Sequence, residues 1–149
     1  YPMCGNLWLS EDGATIFTAC GRTFRASMDA TQDMRYTGAL TLSNASANGF
    51  RVRSLSASTA RNEVVLLEEP WYECTVSGAG TCVSRFAVYE GSFLARTAIF
   101  SVPPVEVAGI RYRQSGRYVF HRNDGARVLI SRLNAMPKPA AEFRWGIVR

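Results

Sequence analysis

The sequence has very little histidine and lysine, two residue types that often serve in proton transfer and covalent catalysis. Among 149 residues it has one histidine, His121, and one lysine, Lys138. The nucleophile-elbow pattern Gly-x-Ser-x-Gly is absent, which argues against a covalent serine hydrolase of that type. No apolar run approaches the ~20 residues that a membrane-spanning helix needs, so we expect no membrane span.

Arginine supplies sixteen of the seventeen basic residues, and the formal net charge is +5. Residues 1–74 carry six arginines against eight acids, whereas the remainder carries eleven basic residues against four acids. The planar guanidinium binds carboxylate or phosphate through two hydrogen bonds, so the arginine excess is compatible with anion recognition. The alternative explanation of the arginine excess is codon bias, which implies no anionic ligand. If the partner is an anion, we expect it to meet the C-terminal half.

The four cysteines are an even number, which suits two disulfides in an exported protein. The preferred pairing is Cys4 with Cys20 and Cys74 with Cys82, because each pair flanks a turn-rich segment. Free buried thiols are the alternative. Neither pair has the two-residue gap of zinc or redox motifs, so we expect no metal and no cofactor. The expected location is secreted, periplasmic or at the cell surface.

The hydrophobic periodicity is that of β-strands, with turn residues between them. We expect hairpins that join 7–10 to 14–18, 50–56 to 63–68, 83–89 to 93–100, and 116–120 to 126–131. Single strands are expected at 22–27 and 143–148, and a polar loop at 28–38. The apolar residues expected to be buried between sheets are Leu7, Leu9, Ile16, Phe17, Val64, Leu66, Val119 and Leu129.

Three segments, 7–18, 20–26 and 116–131, share a pattern of strand, Asp-Gly or Gly turn, and strand. In this pattern the chain resembles blade repeats of secreted bacterial β-propeller proteins of the YVTN and quinoprotein-like type. The resemblance implies about three propeller-like blades, built from antiparallel hairpins in an all-β fold. A β-sandwich or barrel is the alternative. We expect one all-β domain over residues 1–149, either whole or a fragment of a longer propeller.

The segment around 111–122 interleaves arginine with aromatic residues, and it contains the histidine. The favoured interpretation is a strand with its aromatic side in the core and its arginine side in water. The alternative is a site at which the arginines and aromatic rings bind a polyanion or a carbohydrate. The candidate ligand-binding residues are Arg111, Tyr112, Arg113, Arg117, Tyr118 and His121.

His121 also suits general acid–base chemistry at neutral pH, together with Glu90 and Arg111 or Arg113, as in small secreted ribonucleases. The alternative is a histidine at the edge of a strand with no catalytic role. We therefore expect a non-enzymatic structural or binding module that associates through sheet edges or a basic aromatic face. Its partner would be another protein or a second copy. A ribonuclease-like hydrolase and a carbohydrate- or polyanion-binding module remain the alternatives.

Overall fold

Twelve β-strands make up the regular structure of a computed structural model that describes residues 3–43, 50–70, 84–135 and 143–148. No α-helix lies within these ranges. The first four strands are β1 (Leu7–Leu9), β2 (Thr15–Thr18), β3 (Arg22–Arg25) and β4 (Tyr36–Ala39). The next four are β5 (Phe50–Ser58), β6 (Glu63–Pro70), β7 (Arg85–Glu90) and β8 (Arg96–Ser101). The last four are β9 (Val105–Val107), β10 (Ile110–His121), β11 (Arg127–Ala135) and β12 (Phe143–Val148).

The strands form three antiparallel sheets of four, and in each sheet the spatial order follows the order along the chain. Sheet 1 contains β1 to β4, sheet 2 contains β5 to β8, and sheet 3 contains β9 to β12. Short connections between sequential strands favour this arrangement, because each strand pairs with the one it has just followed. The expected fold class, all-β with hairpins in about three propeller-like blades, is confirmed.

The predicted hairpins are confirmed, and their turns have the expected chemistry. Gly13 adopts a φ of 70° and Gly125 a φ of 78°, a region that glycine enters without steric cost. Several strand assignments were wrong, and β8, for example, begins at Arg96 rather than Phe93. β4 begins inside the segment predicted as a loop, β9 was not predicted, and β10 begins at Ile110 rather than Gly116. β4 and β9 are short strands at sheet edges, and the start of β10 is rich in polar residues, so the alternation of apolar residues is weak in all three.

Sheet 2 lies between the other two sheets, so its strand β6 is buried on both faces. Val64 and Leu66 pack in one hydrophobic cluster with residues of sheet 1, such as Phe17. Val65 and Leu67 pack in a second cluster with residues of sheet 3, such as Val119. A continuous apolar run suits a strand covered on both sides.

Most of the predicted core is confirmed, with one correction in sheet 1. Phe17, Val64, Leu66, Val119 and Leu129 are buried, and Ile16 is half-buried. Leu7 and Leu9 were wrongly predicted as core residues, because both are exposed on the outer face of sheet 1. Trp8, which lies between them, turns inward and packs against the core. Side chains alternate between the two faces of β1, so either Trp8 or the pair Leu7 and Leu9 can point toward sheet 2, but not both.

Sheets 2 and 3 approach each other closely at Gly116, where a side chain would not fit. A Cβ atom at Gly116 would lie 2.7 Å from Cδ2 of Leu67, which is fully buried in β6. The backbone amide groups of β10 meet side chains of sheet 2 at this interface. Gly116 N–H donates to Ser84 Oγ and Val119 N–H donates to Ser54 Oγ, each at 3.1 Å. These bonds satisfy buried donors on the edge of β10 and position that strand against sheet 2.

One predicted disulfide is confirmed. Cys4 and Cys20 are bonded, with Cα atoms 5.8 Å apart, and they join the chain before β1 to the chain after β2. The second predicted pair, Cys74 and Cys82, lies outside the described residues.

Candidate functional site

The predicted site residues lie on β10, and a β-bulge at Arg117 divides them into two groups. Gly116 pairs with Ser131 and Tyr118 pairs with Ile130, so Arg117 is an extra residue without a partner position on β11. A bulge shifts the alternation of side chains by one position. Tyr112 is therefore buried toward sheet 2, whereas Tyr118 is exposed on the opposite face.

The structure does not bring the six predicted residues together. Arg111 is exposed opposite Glu106 of β9, and Arg113 is half-buried further along β10. Tyr112 is 5% exposed and belongs to the core, so it is not available to stack on a ligand. His121 lies at the other end of β10, so the accessible residues fall into two separate groups, Arg111 with Arg113 and Arg117 with Tyr118. The predicted role of these residues in binding stays a prediction.

His121 lies between sheets 2 and 3, where it contacts two residues of sheet 2. Its Nδ1 is 3.1 Å from Ser56 Oγ, and its Nε2 is 3.1 Å from Glu63 Oε1. The backbone N–H of His121 also donates to Ser56 Oγ at 3.1 Å. A neutral imidazole that carries its proton on Nε2 satisfies this network, because Ser56 can then donate to Nδ1.

Glu63 is the electrostatic centre of this network. Arg127 donates from Nε to Oε1 at 2.8 Å and from Nη2 to Oε2 at 2.5 Å. The hydrogen bonds from Arg127 lower the pKa of Glu63 to about 2, with a smaller contribution from His121. The same pairing raises the pKa of Arg127. Glu63 is therefore ionised at neutral pH, and it holds β6, β10 and β11 together at the turn end of the sheets.

The contacts run from the hydroxyl of Ser56 to the imidazole of His121 and on to the carboxylate of Glu63. A serine nucleophile would need contacts in this order. Two features favour a structural role. The His121 side chain is only 7% exposed, and Ser56 Oγ already accepts the backbone N–H of the same histidine. The partner residues predicted for His121 were wrong, because its acidic contact is Glu63. Glu90 instead accepts hydrogen bonds from Asn62 and from the backbone of Phe93.

Four arginines of three strands lie near one another: Arg51 and Arg53 of β5, Arg117 of β10 and Arg132 of β11. We call them the arginine cluster. Arg51 donates from Nε and Nη2 to Glu69 Oε1 at 2.9 and 2.7 Å, and Arg53 Nη1 is 3.4 Å from the same oxygen. Burial lowers the pKa of Arg117, the positive charges of Arg53 and Arg132 lower it further, and the negative charge of Glu69 partly offsets them. Sequence reasoning identified Arg117 and missed the other three, which are distant in the sequence.

The outer face of sheet 3 has a row of exposed apolar side chains, with Arg132 beside them as the cross-strand partner of Trp145. Tyr118 and Phe120 stack with ring centroids 6.3 Å apart. Tyr118 is 52% exposed, Trp145 57% and Ile147 62%. Ile130 pairs with Tyr118 on one side and with Ile147 on the other, so these residues form a continuous row across the sheet. We call the five residues Tyr118, Phe120, Ile130, Trp145 and Ile147 the aromatic face.

Within the described ranges, no three His, Cys, Asp or Glu side chains come together as a metal site. Across the same residues, no helix has the length and apolar character that crossing a membrane requires. Comparison with known proteins finds no matching family model, no matching curated protein and no matching solved structure. Any statement about function therefore depends on the geometry of this chain.

Proposed function

We propose that this chain is a non-enzymatic binding module that associates with a second copy of itself through the outer faces of sheets 1 and 3. The aromatic face is the observation that carries the proposal. Exposed apolar patches of this kind are uncommon on monomers and mark surfaces that bind another protein. The Cys4–Cys20 disulfide supports an oxidising location, outside the cell or in the periplasm.

The outer face of sheet 1 has the properties that the aromatic face needs in a partner. Leu7 and Leu9 are exposed there, and Leu9 pairs across the strands with the half-buried Ile16. The charges are complementary as well. Residues 3–43 contain four acids and three arginines, whereas the described residues of sheet 3 and its turns contain seven arginines and two acids. Attraction between segments of opposite net charge favours a head-to-tail contact over a contact between two copies of the same face.

Two copies related by a twofold axis would make this contact twice. Sheet 3 of each copy would cover sheet 1 of the other, and a ring of six sheets would close. A head-to-tail contact that closes in this way gives a finite assembly, whereas one that does not close gives fibres. The internal contacts of the chain support the arrangement, because sheets 1, 2 and 3 already pack face to face.

Light scattering during size-exclusion chromatography tests this proposal. We expect a mass of twice 16.4 kDa for the natural chain. Trp145→Ser on the aromatic face and Leu9→Ser on sheet 1 should each shift the mass toward that of the monomer. Phe93→Ser is the matched control, because Phe93 is 87% exposed but lies between β7 and β8, away from both faces. It should leave the mass unchanged.

Mixing the two variants identifies the head-to-tail arrangement. A dimer of Leu9→Ser with Trp145→Ser contains one contact with both natural faces, so mixing should restore part of the association. A contact between two copies of the aromatic face would be insensitive to Leu9→Ser. A strict monomer at high concentration, or a dimer unaffected by Leu9→Ser, would refute the proposal.

The contacts of Ser56, His121 and Glu63 favour a second candidate function, a hydrolase that depends on His121. Its catalysis would require the nearly buried imidazole to open toward a substrate. Incubation of the chain with RNA and with simple ester substrates, beside a His121→Ala variant, tests this candidate. Cleavage that disappears with His121→Ala would support it, and no cleavage of either substrate class would eliminate it.

A further inference from the structure

Two β-bulges lie next to each other at the contact between sheets 2 and 3, and each has an arginine as its extra residue. In β5, Val52 pairs with Glu68 and Ser54 pairs with Leu67, so Arg53 has no partner position. In β10, the corresponding extra residue is Arg117. The hydrogen bond from Val119 N–H to Ser54 Oγ, at 3.1 Å, joins the chain beside one bulge to the chain beside the other. Arg53 and Arg117 therefore lie on neighbouring strands, where the positive charge of Arg53 acts on Arg117 and lowers its pKa.

Within the part of the chain that the structure describes, the acidic group next to these arginines is Glu69, and it is already bound. Glu69 Oε1 accepts both hydrogen bonds from Arg51, and Arg53 reaches the same oxygen only at 3.4 Å. Among the described residues, Arg117 makes no hydrogen bond or ion pair, although it is half-buried. Placing like charges together costs free energy unless an anion neutralises them. The arrangement therefore favours a negatively charged ligand between Arg53 and Arg117.

We infer that the arginine cluster is a binding site for a tetrahedral oxyanion, phosphate or sulfate, with Arg53 and Arg117 as its principal ligands. Arg53 keeps 36% of its side chain exposed, so a ligand can reach the site from solvent. A tetrahedral oxyanion has more than two acceptor oxygens and a charge that can exceed one. It can therefore bind several guanidinium groups at the same time, each through a charge-assisted pair of hydrogen bonds. The site does not depend on the self-association proposed above.

Isothermal titration with inorganic phosphate, at constant ionic strength, tests this inference. We expect saturable binding that Arg117→Gln and Arg53→Gln each weaken by about tenfold, since each variant loses hydrogen bonds to a charged group. Arg111→Gln is the matched control. It removes the same charge from the same strand, but from a position opposite Glu106 and outside the arginine cluster, and should change the affinity by less than about twofold.

A fourth variant should change the phosphate affinity in the opposite direction, which the other variants do not test. Glu69→Gln removes the carboxylate that competes for Arg51 and Arg53, so phosphate should bind more tightly. Circular dichroism establishes whether each variant is folded. If Arg117→Gln does not fold, the phosphate affinity of Arg53→Gln tests the inference. Absence of saturable phosphate binding, equal loss in Arg111→Gln, or acetate binding as tight as phosphate would each overturn the inference.

Discussion

Gly116→Ala is the change that best tests how β10 is positioned against sheet 2. Its Cβ would lie 2.7 Å from Cδ2 and 3.0 Å from Cδ1 of Leu67, distances that are too short for carbon atoms in contact. Leu67 is fully buried between two sheets, so it cannot move without disturbing the second hydrophobic cluster. Either the leucine or the whole of β10 must shift. A shift of β10 would also displace Arg117 and His121.

The expected cost follows from overpacking in a closely packed interior. Added carbon atoms in such a place cost about 1–3 kcal/mol of unfolding free energy, and the higher strand propensity of alanine returns roughly 0.5–1 kcal/mol. Two other strand glycines give a graded series. At Gly146 the nearest atom to a new Cβ is 3.1 Å away, and at Gly38 it is 3.5 Å, which is an ordinary contact. We expect Gly116→Ala to be the most destabilising, Gly146→Ala intermediate, and Gly38→Ala neutral or slightly stabilising.

Urea unfolding measured by fluorescence gives the three free energies. Leu67→Ala supplies a second test, because it removes the atoms that the methyl group introduced by Gly116→Ala would meet. The double variant Gly116→Ala with Leu67→Ala should be less destabilised than the sum of the two single variants, by at least ~0.5 kcal/mol. A Gly116→Ala variant as stable as Gly38→Ala, or a strictly additive double variant, would refute the close approach of β10 and β6.

Two other expectations concern Glu63 and the disulfide. The pKa of Glu63 is about 2 in the folded chain and 4.5 without its partners, so its contribution to stability is complete above pH 4.5 and lost as the pH falls toward 2. That contribution is at most about 3 kcal/mol, and exposure of part of Arg127 to solvent reduces it to ~2 kcal/mol. Urea unfolding between pH 7 and pH 2.5 should show this loss in the natural chain and a smaller one in Glu63→Gln; equal slopes would contradict it. Replacing Cys4 and Cys20 by serine should lower the unfolding free energy by about 3 kcal/mol, the loop-closure value for this separation, and an unchanged urea midpoint would count against that value.

The location of the candidate site followed only partly from the sequence. The contrast between an acidic first part and a basic second part directed attention to β10, and Arg117 belongs to the arginine cluster. Arg51, Arg53 and Glu69 were not identified, because they lie on other strands and have no spacing relation to Arg117. The contacts of His121 were missed for the same reason, since Ser56 and Glu63 precede it by 65 and 58 positions. Alternation along one strand carries no information about its neighbour in another sheet.

The sequence by itself determined the all-β class and the main hairpins, and it favoured the Cys4–Cys20 pairing. These depend on local properties: alternation of apolar residues, turn residues such as Gly13 and Gly125, and cysteines that flank a short segment. Only the tertiary structure decided which face of each strand is covered. The bulges at Arg53 and Arg117 reverse the alternation within β5 and β10, and packing on both faces of sheet 2 leaves Leu9 exposed on one side and Trp145 on the other. Which face is buried depends on the packing between sheets, and that packing joins residues too distant in the sequence for a local pattern to relate.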